Sequence, residues 1–428
     1  MKIFNETTQQ IKQGGKRRGA NMGILRVDHP DIMEFITSKS KEGVLDNFNI
    51  SVAATDDFMD KMEKSQEYEL INPRNNKVVR KVNAREVFDL IVMMAWKTGD
   101  PGIVFIDEIN RKNQTPKAGY IEATNPCGEE PLLPWESCNL GSINLSKMFK
   151  GQKFDWEKLR KTVQLAVRFL DNVIDANRYP MLQIEDMTKA NRKIGLGIMG
   201  FAECLIKLNM IYDSDKAIKF AERLMKFIQK ESHNSSKELG KLRGSFPNFK
   251  LSIWKRKYKR MRNATVTTIA PTGTISIIAG CSSGIEPLFA VSYVRNVMEG
   301  TRLLEVNQLF EEIAKKGKFH STELLMKIAR LGSVQNVEEI PENIRKLFVT
   351  AHDISPEWHV RMQATFQKYT DNAVSKTINL KQDASPEDVR ISFLLAWKLK
   401  CKGITVYRYG SKPEQVLYIG SLEKEVGD

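Results

Sequence analysis

The sequence has 428 residues, of which 41% are apolar and 28% charged, a balance that allows a large buried core and excludes a disordered chain. The formal net charge of +14 comes from lysines and arginines spread along the whole chain. This favours a solvated basic surface that attracts phosphates over a nucleic-acid-binding tail. No apolar stretch is long enough to span a bilayer and no signal-peptide core occurs, so we expect no membrane partner, a cytoplasmic location and reduced thiols.

Helix and strand signals alternate along the chain, as in an α/β protein. Pro30 is expected in the first turn of a helix that covers residues 32–36. A strand is predicted at residues 48–55, followed by a hairpin that turns at Asn75 and Asn76.

The later elements are set by caps and by apolar periodicity. Asn83 is predicted to cap a helix that Gly99 closes. Residues 156–177 place apolar side chains at three- and four-residue intervals, which predicts a helix with one buried face. Ser385 has the pattern of a capping box for a late helix, and Gly403 is expected to end that helix before a strand.

A short apolar strand and a polar loop lead into Asn-Pro-Cys-Gly-Glu at residues 125–129, and a second thiol, Cys138, follows. From the residues alone, Cys127 could be a nucleophile, half of a disulfide, a metal ligand or a radical carrier. The chain has no histidine near it and no C-x-x-C pair, so the nucleophile and zinc interpretations gain no support. Because Glu129 disfavours a thiolate, the pair better fits a neutral sulfur radical, with Asn125 binding a hydroxyl as Glu129 removes its proton.

Two glycine-containing segments suggest phosphate binding. Residues 195–200 match G-x-G-x-x-G, but polar residues precede them where a dinucleotide motif needs a buried strand, so we interpret the glycines as close helix packing. Residues 264–270 are predicted as a strand that turns at residues 271–276 into a helix. Free N–H groups and hydroxyls at that turn favour an anion, although an ordinary capped turn fits the spacing as well.

Taken together, these segments resemble ribonucleotide reductase large subunits. NPCGEEPL followed by SCNLGSINLS is similar to the family's finger loop, and the Pro-Cys-Gly-Glu form is most similar to the adenosylcobalamin-dependent class. The similarity extends over most of the chain, through residues 14–32, 168–175, 189–205, 270–289, 351–380 and 402–411.

The resemblance implies a partial ten-stranded α/β barrel with a central finger loop. Residues 1–115 would be the end of the first half-barrel with a specificity-effector loop, and residues 116–145 the finger loop. Residues 146–428 would form the second half-barrel and C-terminal strand region. An N-terminal domain and a C-terminal cysteine tail would be absent.

The resemblance also implies an activity, the reduction of ribonucleotides to 2′-deoxyribonucleotides with adenosylcobalamin. Cys127 would become a thiyl that takes the 3′ hydrogen, with Asn125 and Glu129 at the sugar hydroxyls. Cys138 would supply one of two reducing thiols, and a thioredoxin-like partner would reduce the disulfide. Further implied substrate contacts are Pro126, Gly128, Pro271, Thr272, Gly273, Thr274, Ile275 and Ser276. The residues implied to sense a dNTP or ATP effector are Lys16, Arg17 and Arg18, and no metal ligands are expected.

One departure from the family concerns the second reducing thiol, because no cysteine occurs between Met1 and Cys127. The other cysteines, Cys204, Cys281 and Cys401, are interpreted as core or packing residues. We therefore expect one piece of a split or truncated ribonucleoside-diphosphate reductase that works with an N-terminal fragment, as a homodimer, or both. An amphipathic helix near Met1 would lack neighbours in that piece.

Two alternatives remain open at this level. The chain could be a non-catalytic nucleotide-binding remnant or regulatory fragment. It could instead belong to the metal-radical class, which uses a separate radical-generating subunit. That class ends in a paired tyrosine relay, whereas Tyr407 and Tyr409 here flank an arginine.

Overall fold

The computed structural model describes residues 1–13, 17–41, 43–296 and 302–411. The helices in this part of the chain are α1 (Lys2–Gln10), α2 (Ile32–Thr37), α3 (Asp56–Glu63), α4 (Ala84–Thr98), α5 (Ile106–Arg111), α6 (Trp156–Ala176), α7 (Leu182–Asn191), α8 (Phe201–Lys207), α9 (Asp215–Arg243), α10 (Gly273–Ala279), α11 (Gln308–Lys316), α12 (Thr322–Leu331), α13 (Glu342–Leu347), α14 (Pro356–Gln367) and α15 (Pro386–Lys398). Short 3-10 helices cover Leu145–Lys147, Pro247–Leu251 and Ile253–Arg256.

The strands interleave with these helices. They are β1 (Lys12–Gln13), β2 (Arg17–Arg18), β3 (Asn21–Arg26), β4 (Phe48–Ala54), β5 (Glu67–Ile71), β6 (Val78–Asn83), β7 (Gly102–Phe105), β8 (Ala123–Thr124), β9 (Pro131–Leu132), β10 (Asn139–Asn144), β11 (Phe149–Lys150), β12 (Lys153–Phe154), β13 (Ile194–Met199), β14 (Ser292–Asn296), β15 (Arg302–Val306), β16 (Thr377–Leu380) and β17 (Gly403–Arg408).

The main sheet has the strand order β16-β17-β7-β4-β3. Strands β3, β4 and β7 are parallel to one another, and β16 is parallel to β17. The two groups meet where β17 runs antiparallel to β7. Helices connect the parallel strands, and the four residues of β7 are all buried, as expected for a parallel strand covered on both faces.

The second group of strands continues beyond β16. A parallel bridge joins Val374, just before β16, to Ile269, and another joins Thr267 to Leu196 in β13. Strand β13 in turn pairs in parallel with β10. These pairings form one series of extended segments in the described chain, which confirms the expected partial α/β barrel.

The hydrophobic cores lie between the strands and the helices that cover them. One core packs α3, α4 and α15 against β4, β7 and β17, and includes an edge-to-face contact of Phe88 with Phe393 at 6.4 Å. A second packs α6, α8 and α9 against β10 and β13. A third joins α11, α12 and α13. None of the described helices is long and apolar enough to cross a membrane.

Several predicted elements are confirmed at their caps. The side chain of Asn83 accepts a hydrogen bond from the N–H of Arg85, and α4 ends at Gly99 in the left-handed conformation. Ser385 forms the predicted capping box at the start of α15. The β5–β6 hairpin turns at Asn76, whose φ is 55°.

Two predicted caps are wrong. Pro30 lies before α2, because Asp31 is the N-cap and the helix begins at Ile32. Gly403 does not end α15, which ends at Lys398, and instead begins β17. The reversal between them occurs at Lys400, whose φ is 60°. In both cases the predicted helix is present, and only the position of one of its ends was wrong.

The interpretation of the G-x-G-x-x-G run is also wrong in its details. Its first glycines lie inside β13, where every residue is buried, so they serve strand packing rather than helix packing. A Cβ added to Gly197 would collide with the carbonyl oxygen of Thr268 in the neighbouring extended segment. The glycines therefore let β13 approach residues 264–270 closely. That segment is extended as predicted, but isolated bridges rather than a continuous ladder join it to its neighbours.

Replacing Gly197 by alanine should destabilise the barrel by about 2–3 kcal/mol. The added Cβ would clash with a backbone atom, which cannot move aside as a flexible side chain can. The measurement is the shift in the urea midpoint of unfolding. Gly273→Ala is the matched control, since a Cβ there meets nothing within 4 Å. Equal midpoints for the two variants would contradict the packing role of Gly197.

Candidate active site

The Asn-Pro-Cys-Gly-Glu segment is the tip of a small hairpin. Its arms, β8 and β9, pair Thr124 with Pro131, and the N–H of Gly128 donates to the carbonyl of Asn125 at 3.0 Å. Gly128 has a φ of 81°, a conformation that a side chain would strain, and a Cβ there would otherwise meet open space. Cys127 is exposed at this tip, which confirms its predicted place on a loop.

Asn125 and Glu129 are brought together in that turn. The Asn125 side-chain oxygen accepts from the N–H of Glu130 at 3.0 Å, which leaves its amide nitrogen to donate to the Glu129 carboxyl. Glu129 is only 2% exposed, and its Oε2 has no hydrogen-bond partner within the described chain. Burial raises the pKa of Glu129, and the bond from Asn125 partly opposes that rise. The site thus contains a buried carboxyl with one oxygen available for a ligand hydroxyl.

Hydrogen bonds from three different segments of the barrel hold the hairpin in place. The amide of Asn49 in β4 donates to the carbonyl of Pro126 at 2.8 Å. The carbonyl of Glu129 accepts from the hydroxyl of Thr268 at 2.9 Å and from the N–H of Ala373 at 2.8 Å. Because β4 and the segments that contain Thr268 and Ala373 all anchor the loop, its reactive side chains are positioned by the rigid scaffold.

Cys138 lies half-buried, one residue before β10 begins. Its thiol is hydrogen-bonded to the Glu130 carboxyl and lies 3.7 Å from the carbonyl oxygen of Asn139. Burial and the nearby Glu130 raise the pKa of the Cys138 thiol well above its usual range. The sulfur is therefore protonated at neutral pH and can act as a hydrogen donor.

The remaining cysteines fit the packing interpretation. Cys204 and Cys401 are buried in the two main cores, as expected. Cys281 is half-buried just after α10. None of the described cysteines forms a disulfide.

A buried ion pair next to the hairpin was not predicted from the sequence. Lys193 and Glu136 form a fully buried ion pair at 2.7 Å. Glu136 also accepts from the N–H of Leu133 and from the Asn191 amide, at 2.8 and 2.7 Å. The sequence signals were the acidic residue in WESC and the basic residue two positions before the G-x-G-x-x-G run, and neither indicates burial.

The segment predicted to bind phosphate has the expected turn-to-helix form. Thr272 is left-handed, with a φ of 60°, and α10 begins at Gly273. The Thr272 hydroxyl accepts from the N–H of Gly284 at 2.7 Å, and Ser276 bonds to Ser283 at 2.9 Å. Two of the hydroxyls in this run therefore stabilise the loop itself, while the N–H groups of the first helical turn have no partners within the helix. The phosphate role stays a prediction.

The predicted effector loop is only partly described. Lys16 lies outside the described residues, and Arg17 and Arg18 form β2, which pairs with β1. Their role stays a prediction.

The chain is similar to proteins of one known family. A family model described as "Ribonucleotide reductase, barrel domain" matches residues 1–407. The chain belongs to the ribonucleotide reductase family. This reductase barrel is 57% identical over 425 residues to a vitamin B12-dependent ribonucleoside-diphosphate reductase of Thermoplasma acidophilum, with 99% of this chain and 55% of the relative covered. A Mycobacterium tuberculosis protein of the same name is 48% identical, with 97% of this chain and 60% of the relative covered.

More distant proteins also match the reductase barrel, one in sequence and one in structure. A Chlamydia pneumoniae ribonucleoside-diphosphate reductase subunit alpha is 29% identical, with 96% of this chain and 46% of that protein covered. A solved class Id ribonucleotide reductase alpha subunit of Actinobacillus ureae superposes with a TM-score of 0.78 at 23% identity. That match covers 96% of this chain and 73% of the other. The expected reductase-type barrel is confirmed, and the chain spans little more than half the length of the two vitamin B12-dependent relatives.

Proposed function

We propose that this chain carries the radical site of an adenosylcobalamin-dependent reductase that converts ribonucleoside diphosphates to 2′-deoxyribonucleotides. The observation that carries the proposal is the finger-loop tip, where an exposed thiol shares a turn with a buried carboxyl that has one unpartnered oxygen. The names of the Thermoplasma and Mycobacterium relatives, vitamin B12-dependent ribonucleoside-diphosphate reductases, support the same substrate and cofactor.

The exposed thiol of Cys127 fits a radical source that approaches from outside the hairpin. When bound, adenosylcobalamin would supply a carbon-centred radical, and the Cys127 thiol would donate a hydrogen atom to it. The resulting thiyl removes the 3′ hydrogen of the ribose. The Oε2 of Glu129 accepts the 3′ hydroxyl proton, while Asn125 holds that carboxyl in place. The 2′ hydroxyl then leaves carbon 2′ as water, with a proton from one of the two reducing thiols.

The reaction consumes two thiols and yields one disulfide, one water and the deoxynucleotide. Cys138 is proposed as one of the two thiols. Since Cys204 and Cys401 are buried in hydrophobic cores, we infer that neither of them is the second thiol.

Several partners belong to this proposal. A thioredoxin-like dithiol would reduce the disulfide, and a dNTP or ATP effector would bind through Lys16, Arg17 and Arg18. The first turn of α10 would hold the substrate phosphates with its N–H groups. The exposed apolar side chains of Ile3 and Phe4, at 81% and 67%, support contact with a separate N-terminal fragment or a second copy. We place the assembly in the cytoplasm.

The test is to mix the chain with an N-terminal reductase polypeptide, a ribonucleotide and a dithiol, with and without adenosylcobalamin. We expect 2′-deoxynucleotide only when the cofactor is present. Product that requires a separate radical-generating protein instead would favour the metal-radical class. Nucleotide binding without product under either condition, with both pieces folded, would favour the non-catalytic alternative.

Replacing Asn125 by alanine should lower deoxynucleotide formation about 100-fold at neutral pH. The variant loses the hydrogen bond that lowers the pKa of Glu129, so this carboxyl becomes the active carboxylate only at higher pH. The acid limb of kcat/KM should therefore move to higher pH. Asn75→Ala, in the exposed β5–β6 turn, is the matched control. A lower rate with an unmoved acid limb would refute this role of Asn125.

A further inference from the structure

Glu130 is a buried carboxyl that the proposed hydrogen-abstraction chemistry does not use. It is 2% exposed and hydrogen-bonded to the thiol of Cys138. The amide of Asn372 holds the pair together, because its nitrogen lies 3.0 and 3.2 Å from the two Glu130 oxygens and 4.0 Å from the Cys138 sulfur. Gly195 leaves room for the carboxyl, since a Cβ there would lie 2.8 Å from its Oε1.

Burial, more than the neighbouring charges, keeps both groups protonated. Glu130 faces Glu129 and Lys193, and Cys138 faces Lys193 and Glu136. Lys193 is already paired with Glu136 at 2.7 Å, so its charge does little to stabilise the carboxylate form of Glu130. Burial is the largest influence on Glu130 and raises its pKa to about 8. The carboxyl therefore still carries its proton near neutral pH, as a general acid requires.

The thiol of Cys138 creates the need for such an acid. When a disulfide is reduced, one sulfur leaves with an electron pair, and a thiol of high pKa is a poor leaving group as a thiolate. Burial and the adjacent carboxyl raise the pKa of Cys138 well above its usual range. A proton delivered to its sulfur as the S–S bond breaks removes this obstacle.

We propose that Glu130 is the general acid that protonates the sulfur of Cys138 when its disulfide is reduced, an inference that rests on the proposed function for its place in the reaction cycle. A thiolate of an external dithiol attacks the sulfur bonded to Cys138. The S–S bond breaks, its electron pair stays on the Cys138 sulfur, and the Glu130 carboxyl donates its proton there. The second thiol of the reductant then completes its own disulfide and releases the attached thiol, and Glu130 recovers a proton from water.

The experiment needs neither nucleotide nor cobalamin, so its outcome is separate from that of the reductase assay. Exposed Cys127 and half-buried Cys138 are converted to mixed disulfides with 2-mercaptoethanol in the full chain. Dithiothreitol is added, and the release of each cysteine is followed by mass spectrometry from pH 6 to pH 10. Rates are divided by the dithiothreitol thiolate concentration at each pH.

In the wild-type chain, the corrected release rate at Cys138 should fall above about pH 8, where Glu130 loses its proton. The isosteric Glu130→Gln variant should release Cys138 about 100-fold more slowly at pH 7, without that pH-dependent fall. Release at Cys127 should be unchanged in the same sample, which makes it the internal control. Glu130→Asp keeps an acid and should restore the pH-dependent fall.

Glu203→Gln is the matched control variant. Glu203 is also a buried carboxyl, but its partner is Ser282, whose hydroxyl lies 2.6 Å from it. Release of Cys138 in this variant should equal the wild type. The proposal is overturned if Glu130→Gln, with an unchanged thermal midpoint, releases Cys138 at the wild-type rate and pH dependence. It is also overturned if Cys127 and Cys138 slow equally, because that result indicates a general change of structure.

Discussion

Replacing Cys127 by serine should reduce deoxynucleotide formation by about 10⁴-fold or more, with little change in the free energy of unfolding. A hydroxyl has nearly the shape of a thiol, but its O–H bond is far harder to cleave homolytically than S–H. Since the side chain is exposed at the hairpin tip, no buried packing is lost. The measurement is product formed per chain in the reductase assay, together with the urea midpoint.

Cys281→Ser serves as the matched control, because Cys281 is half-buried and has no role in the proposed chemistry. It should retain wild-type product formation. If Cys127→Ser kept more than about a tenth of the activity, the radical role of this sulfur would be wrong.

The largest expected effect on stability is at Glu136. Replacement by alanine should cost about 3–5 kcal/mol, because the variant leaves the fully buried ammonium of Lys193 without its carboxylate. The two hydrogen bonds that Glu136 accepts from Leu133 and Asn191 are lost as well. Urea unfolding of the purified chain measures the change.

An exposed ion pair provides the control. Glu238 and Lys241 also lie 2.7 Å apart, but both side chains are more than 60% exposed, so Glu238→Ala should cost less than about 1 kcal/mol. The double replacement Glu136→Leu with Lys193→Met should recover much of the loss, since an apolar pair no longer requires desolvated charge. Equal costs for Glu136→Ala and Glu238→Ala would contradict the importance of burial.

Elements with local signals were predicted well from the sequence. The periodicity of α6 and the capping box at Ser385 depend on residues within one or two turns, and both are confirmed. The strand character of β13 was missed, because its glycines are explained by Thr268, a neighbour about 70 residues away in sequence. Pairings of that kind leave no local pattern.

The same limit applies to the candidate site. Asn125, Cys127 and Glu129 lie within five residues of one another, so their spacing and resemblance were enough to single them out. Glu130 is next to them in sequence, yet its partner Asn372 is 242 residues away. Closure of the barrel determines which buried carboxyl contacts which thiol. No local pattern in a single sequence indicates such a contact.

The central claim is that the Cys127 sulfur removes the 3′ hydrogen of the ribose. The most direct measurement compares product formation from 3′-protio and 3′-deuterio ribonucleotide by the assembled enzyme, for the wild type and for Cys127→Ser. We expect slower product formation from the deuterated substrate in the wild type and no product from either substrate in the variant. Equal rates from both substrates, together with product from the variant, would contradict the account.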